Sequence, residues 1–343
     1  MEHVTAPPGA PAPDAGAHAD EAVRARRPRR QRVAAWTGGV LLLGVSAVLG
    51  CRAADTDAVT PVPQALAFLP WLLAPAVAAL LLAAYGRWRT GLVWSVAALA
   101  LLAWYMEPYG KVADPDGPPL AELRVLTANV EFGRGTAGLV DAVREHRPDL
   151  VFVPECDRGC AARLRAELPR SAYPYRVAAD GDGADGSVIL STVPLKPATG
   201  VRGTLGMPGA VADVKGVPVR VQLAHPMPPT PGGVARWRRE LGALRDFAAD
   251  GDGRATILAG DFNATQDHAA FRGVLDAGLR DAARQAGAAR TPTWPSLLPR
   301  PFGTQIDHVL TTPDFAARDA RVLDVPHTDH RALLVTLTLH RAP

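Results

Sequence analysis

ATILAGDFN, residues 255–263, begins as an apolar strand and ends on Asp261 and Asn263, two side chains suited to polar chemistry. A strand carries whatever follows it to one edge of a sheet, so the other strand ends matter as much as this one. Five further motifs share the layout: TANVE (127–131), PEC (154–156), AHP (224–226), QIDH (305–308) and TDH (328–330). They supply Asn129, Glu155, His225, Asp307, Asp329 and His330. Most of these follow an apolar run directly, and loops at one edge of a sheet sandwich would gather them into one cleft.

The residue types fit one chemistry. Carboxylate and amide oxygens are ligands for a hard divalent cation. Phosphate-ester hydrolysis spreads negative charge over the equatorial oxygens, so a cation and neutral donors are needed there. Water is a poor nucleophile and must be oriented or deprotonated by a carboxylate or imidazole. The leaving oxygen needs a metal or a proton donor. Each motif alone has a plainer reading: Asn129 as a strand-end cap, Asp261 and Asn263 as a turn, His225 as a loop histidine, Asp307 with His330 as a structural pair. Their joint order along the chain argues against coincidence. His308 reads as packing, Ser191 as structural, and Glu131 as near the site without an assigned role. His146, His268, His327 and His340 read as surface or packing residues.

Residues 121–343 resemble the endonuclease/exonuclease/phosphatase superfamily, which includes DNase I-like nucleases, inositol-phosphate phosphatases and bacterial sphingomyelinases. GDFN (260–263), QIDH and TDH carry the likeness. HPMPP (225–229), RWRREL (236–241), LAGDFNAT (258–265) and TWP (293–295) resemble its membrane-anchored bacterial branch in particular. The resemblance implies an α/β fold, a four-layer αββα sandwich, with Mg²⁺ as cofactor and Mn²⁺ as a substitute. It implies Glu155 as the principal metal carboxylate, Asn129 as support for that metal or a phosphate oxygen, and Asp329 as a further carboxylate beside the metal. Asp261 and Asn263 would orient the attacking water and bind the phosphoryl oxygen. His330 would contact the phosphate or water, Asp307 would accept a hydrogen bond from its ring, and His225 would sit near the leaving-group oxygen.

The bulk numbers place this region in a larger design. Of 343 residues 48% are apolar, and the excess lies between 33 and 105. Residues 1–32 read as a disordered cytoplasmic tail that ends in the basic run RARRPRRQR (24–32). Residues 33–110 read as a three-helix transmembrane anchor, with uncharged apolar segments at 33–50, 65–85 and 91–105. The basic run holds the N-terminus inside, and the two arginines of GRWRT (86–90) hold the next loop inside. Residues 51–64 and everything after 110 then face outward, with Trp104, Tyr105 and Tyr109 at the outer interface. Residues 111–120 form a linker.

Strands are expected at 123–130, 149–155, 187–192, 217–225, 255–263, 306–310, 320–325 and 332–339, and helices at 138–148, 234–250 and 268–285. Cys156 and Cys160 lie one helical turn apart, within bridging range, and the cysteine pattern excludes a structural zinc site. From residue 121 onward 27 Lys and Arg stand against 25 Asp and Glu, which allows a nucleic-acid partner but does not favour one. The expected protein is a membrane-anchored phosphoesterase that cleaves phosphodiester bonds by in-line attack of water, with a lipid head group or a nucleotide as candidate substrate. An extracytoplasmic nuclease, and a non-catalytic receptor or scaffold on the same fold, are the rival readings. Transport is disfavoured because the spans carry no charge.

Overall fold

The computed structural model describes residues 28–106, 115–251 and 253–341. The expected tail over 1–27, Tyr109 and the first part of the linker lie outside the described residues. The N-terminal region is helical: α1 (Arg29–Ala53), α2 (Val62–Ala67), a 3₁₀ turn at Leu69–Leu72, α3 (Leu73–Tyr85) and α4 (Arg89–Met106). Two of these, α1 and α4, are long and apolar enough to cross a membrane, while the apolar stretch Leu69–Tyr85 is shorter. The expected continuous span at 65–85 is therefore corrected. Pro70 has no N–H, and in a continuous helix its ring would clash with the carbonyl of Leu66, so the helix breaks between α2 and α3. The helices meet along Leu42, Val45, Leu49, Leu69, Ala79 and Leu102. Their outer faces expose Trp36, Val40, Leu43, Val93 and Trp104, an apolar surface that the other described residues leave uncovered.

The remainder is a two-sheet α/β sandwich. In chain order its elements are β1 (Pro119–Thr127), α5 (Thr136–His146), β2 (Leu150–Pro154), α6 (Arg158–Glu167), β3 (Tyr175–Ala179), β4 (Ser187–Ser191), β5 (Leu195–Ala198), β6 (Gly209–Val214) and β7 (Val217–Ala224). Then come α7 (Val234–Ala249), β8 (Thr256–Asp261), α8 (Ala269–Asp276), β9 (Arg280–Asp281), α9 (Ala282–Gln285), β10 (Asp307–Thr311), β11 (Phe315–Asp324) and β12 (Arg331–His340). One sheet runs β11-β12-β1-β2-β4-β3 and the other β5-β6-β7-β8-β10-β9. Val125, Phe152, Ile189, Val221, Ile257 and Val309 pack between them. On the outside, Leu139, Val143 and Leu164 of α5 and α6 cover the first sheet, and Trp237, Leu241 and Phe271 of α7 and α8 cover the second. Helix, sheet, sheet and helix are thus stacked in that order, each buried face matched to another.

Departures from the sequence reading have local causes. The helix expected at 268–285 is split, because Gly278 takes φ 101° and the chain then pairs Asp281 with Leu310 of β10. β3 and β5 are edge strands with exposed positions, β5 contains Pro197, and β6 is built largely from small residues, so none gives a strong apolar signal. β1 starts inside the expected linker, where Pro119 pairs with His340. Cys156 and Cys160 are bridged across the start of α6, with Cα atoms 5.2 Å apart, while Cys51 is free.

The N-terminal helices and the sandwich share a polar seam. Asp57, fully buried between α1 and α2, accepts from the N–H of Ala270 in the first turn of α8 at 2.8 Å and pairs with Arg238 at 3.0 Å. Asp267 pairs with Arg290 at 2.5 Å and Arg52 at 3.6 Å, and Arg290 also donates to the carbonyl of Tyr105 at 2.8 Å. His268 is buried: its Nδ1 accepts from the N–H of Thr265, which leaves Nε2 to donate to the carbonyl of Pro63, both at 2.8 Å. Burial holds this ring below its ordinary pKa, in keeping with a neutral imidazole in that tautomer.

Candidate active site

Strand direction explains why residues so far apart in sequence meet. β1 and β2 are parallel, as are β7 and β8, and end at one rim of the sandwich. β10 runs antiparallel to β8 and β12 antiparallel to β1, so both begin at that rim. Asn129, Glu155 and His225 follow the ends of β1, β2 and β7, and Asp261 closes β8. Asp307 opens β10 directly opposite Asp261, and His330 precedes β12. Gly260 is required where β8 passes β7: a side chain there would be driven into the carbonyl of Ala224, and its φ is 153°. Glu155, Asn263, Glu131 and Phe132 hold positive φ without being glycine, and backbone strain of this kind clusters at functional sites.

The side chains form one connected set. The Asn129 amide nitrogen donates to Glu155 Oε1 and to Asp261 Oδ2, both at 3.0 Å. Glu155 Oε2 accepts from the Phe132 N–H at 3.1 Å, and its Oε1 lies 3.6 Å from His225 Nε2. Asp261 Oδ1 accepts from the Asn263 N–H at 2.8 Å, and the Asn263 amide donates to the Pro226 carbonyl at 3.0 Å. His330 Nδ1 meets Asp307 Oδ2 at 2.9 Å, while its Nε2 lies 3.6 Å from Asp261 and 3.9 Å from Asp329. Asn129, His225, Asp261, Asp307 and His330 are buried, whereas Glu155, Asn263 and Asp329 are partly exposed to the cavity.

Of the expected metal set, Asn129 and Glu155 are brought together. Asp329 reaches the set through His330 Nε2 at 3.9 Å; its Oδ2 accepts from Trp294 Nε1 at 2.9 Å, and its N–H donates to Glu131 Oε2 at 3.0 Å. The tightest group of ligand-type atoms among the described residues is instead Asp261, Asp307 and His330, all within 4.8 Å of one another. Sequence reasoning missed the supports. Glu131 positions the Asp329 backbone. Thr328 Oγ1 donates to the Asn129 carbonyl at 2.9 Å and Thr293 Oγ1 accepts from the Asp307 N–H at 3.2 Å. His308, expected to pack, does so, meeting Asp281 at 2.7 Å and the Ala264 carbonyl at 3.0 Å.

The electrostatics set the floor apart. Burial pushes the Asp261 carboxyl up to about 6, with His330 opposing the rise and Asp307 reinforcing it. Burial pulls the His330 ring down, but the Asp307 and Asp261 carboxylates outweigh it and raise the ring to about 10. Burial pushes Glu155 up, yet His225 and the Asn129 amide hold it below its ordinary value. Two buried atoms, His225 Nδ1 and Asp307 Oδ1, have no hydrogen-bond partner. Above this floor lies a cavity of about 740 Å³.

The endonuclease/exonuclease/phosphatase family model matches residues 126–330, more than half of the chain. The chain belongs to the endonuclease/exonuclease/phosphatase family. Solved structures of the same fold include an endonuclease/exonuclease/phosphatase from Beutenbergia cavernae, at 22% identity and TM-score 0.53 over 65% of this chain and 72% of that one. A humanized D. rerio TDP2 matches at 16% identity and TM-score 0.54, over 63% of this chain and 98% of that one. An AP endonuclease from Archaeoglobus fulgidus matches at 17% identity and TM-score 0.52, over 62% and 98%. At these identities the likeness is one of fold. A search of the curated proteins finds no match. Membership of the family makes a phosphoester-cleaving function the natural reading of the rim, whose motifs span the matched region.

Proposed function

We propose that the chain is a membrane-anchored, divalent-cation-dependent phosphodiesterase whose catalytic domain faces away from the cytoplasm. The reading rests on one observation: Glu155, Asn129, Asp261, Asp307 and His330 join through contacts of 2.9–3.6 Å on the floor of one cavity. With Asp329 and His225 beside them, four carboxylates face two imidazoles, Asp307 Oδ1 has no partner among the described residues, and Asp261 is pushed up to about 6. Such a floor carries more negative charge than it offsets, which suits a hard cation. Glu155 and Asn129, with Asp329 nearby, would hold Mg²⁺ or Mn²⁺. The ion when bound neutralises charge on the phosphoryl oxygens.

The chain's own groups account for the rest. Asp261 is ionised at neutral pH and takes a proton from the water whose oxygen bonds to phosphorus. The ester bond from phosphorus to the leaving oxygen breaks in line, that oxygen takes up a proton from solvent water beside His225, and Asp261 returns its proton to solvent. Asp307 holds the His330 ring as an imidazolium, which donates to a phosphoryl oxygen. Asn263 keeps one amide hydrogen free after its bond to Pro226 and adds a neutral donor.

The membrane reading is supported by the outward apolar faces of α1 and α4. It is supported too by the position of the seam: the segment after α1 and the end of α4 both touch the sandwich, and the arginines of 86–90 lie at the other helix ends. The near balance of charge favours a small or lipidic ester over nucleic acid. Detergent-solubilised full-length protein is expected to hydrolyse bis-p-nitrophenyl phosphate with Mg²⁺, and Glu155→Ala and His330→Ala are expected to abolish this. Inactivity of the wild type across a panel of phosphodiesters that includes single-stranded DNA would defeat the proposal.

A further inference from the structure

The cavity over the catalytic floor is not made by the sandwich alone. Pro63, Gln64, Ala67 and Phe68, from α2 and its end, form one wall. Gln64 donates to the Pro229 carbonyl, and Thr304 Oγ1 donates to the Ala67 carbonyl at 2.6 Å, so this wall is fastened at both sides. It is also aromatic. Trp294 links to Asp329 at 2.9 Å and packs against Phe68 with ring centres 6.4 Å apart. Phe68 packs on Trp71 at 6.1 Å, and Trp71 on Phe302 at 5.2 Å. An unbroken aromatic track therefore runs from a site carboxylate to the 3₁₀ turn that opens α3.

The outer end of the track meets a second feature. Among the described residues after β1 begins, the large apolar side chains left exposed are Phe132, Leu297, Leu298 and Phe302. Three of the four lie on the loop whose Phe302 meets Trp71, and Leu297 is 86% exposed. Apolar surface concentrated at one edge marks a binding face, and this edge adjoins the helices whose apolar surface is uncovered.

We propose that this wall binds the apolar portion of a phosphoester lipid taken from the bilayer that holds the protein, with Phe68 and Trp294 selecting for it and Leu297, Leu298 and Phe302 seated in the lipid surface. The proposal rests on the phosphodiesterase reading and deepens it by naming the substrate class. The occupant follows from continuity: one end of the cavity suits a phosphate ester, and the other opens where the membrane helices begin. The reaction is the hydrolysis already set out, with water as the only co-reactant.

Full-length protein is reconstituted with Mg²⁺ in vesicles of phosphatidylglycerol and phosphatidylethanolamine, and lipid turnover is divided by turnover of water-soluble bis-p-nitrophenyl phosphate. Phe68→Ser, and separately Leu297→Ser with Leu298→Ser, are expected to lower this ratio about tenfold, the effect of losing one buried apolar side chain's contribution. Phe68→Leu is expected to restore most of the ratio, which separates lipid selection from misfolding. A wild type that cleaves the soluble diester but neither lipid overturns the inference and leaves the phosphodiesterase reading standing. Equal loss on both substrates in Phe68→Ser also overturns it, because the wall would then be scaffold. A wild type that cleaves neither substrate removes the underlying reading.

Discussion

Two clusters of charge among the described residues are built on opposite terms. At the seam between the N-terminal helices and the sandwich, Asp57 and Asp267 are each matched by arginine: Arg238 for the first, Arg290 and Arg52 for the second. At the cavity floor Glu155, Asp261, Asp307 and Asp329 have, among the described residues, His225 and His330 as their basic partners. Arginine is always charged and forks onto a carboxylate, so the seam is a closed account of charge. The floor is open, with a carboxyl raised to about 6 and an imidazole raised to about 10. Burying charge without full compensation costs stability and is kept where a ligand supplies the missing partner. The contrast separates a joint from a site without reference to relatives.

The largest expected effect is on rate. Asp307→Asn removes the acceptor that orients and charges His330, and turnover is expected to fall roughly 10²–10⁴-fold, measured on bis-p-nitrophenyl phosphate. A fall of only a few-fold would mean that the pair is structural. Next come two stability changes of opposite sign. Asp57→Ala at the seam takes the acceptor from the first turn of α8 and the partner from Arg238, and is expected to cost about 2 kcal/mol in thermal or denaturant unfolding. Asp261→Asn at the floor removes an under-compensated charge, and metal-free protein is expected to gain about 1 kcal/mol while losing activity. Equal destabilisation by both would erase the distinction between the two clusters.

The pH dependence sharpens it further. His330 is raised in the folded state, so its contribution to stability is fully present below about 6.5, the ordinary histidine value, and is lost as pH climbs through about 10. The difference in melting temperature between metal-free wild type and His330→Asn is therefore expected to shrink steadily from pH 7 to pH 10. Asp261 is also raised, and metal-free stability should fall as pH rises through about 6. A ¹³C titration of the His330 ring showing a neutral imidazole at pH 8 would contradict this electrostatic description.

Legibility from sequence divided along the same line. The floor could be read because each of its residues sits next to an apolar strand, and strand ends are delivered to a rim whatever the register. Asp307 and His330 needed more, namely that β10 and β12 run antiparallel to their neighbours, which the spacing of QIDH and TDH does not reveal. The seam was not legible at all. Asp57 sits in a polar loop that reads as solvent-facing, and only the docking of α8 onto it makes it buried. His268 reads in sequence only as a surface or packing residue for the same reason, since its partner Pro63 lies 205 residues earlier. The division of the middle apolar segment was written in Pro70, but a composition reading that looks for uncharged length passes over a proline.

The smallest expected effect concerns the bridge between Cys156 and Cys160, next to Glu155. It closes a loop of four residues in sequence separation, so its constraint on the unfolded chain is near the low end for disulfides, about 2 kcal/mol. Its reduction should lower the melting temperature by a few degrees and leave the floor assembled, because Glu155 is held independently by the Phe132 N–H and the Asn129 amide. The bridge also reports on orientation. A disulfide persists on the oxidising side of a membrane and is kept reduced in the cytoplasm. Alkylation of intact cells followed by mass spectrometry is expected to find Cys156 and Cys160 unmodified until reductant is added. Free thiols at both positions in freshly lysed cells would place the catalytic domain inside, reverse the proposed topology, and remove the outer leaflet as the source of substrate.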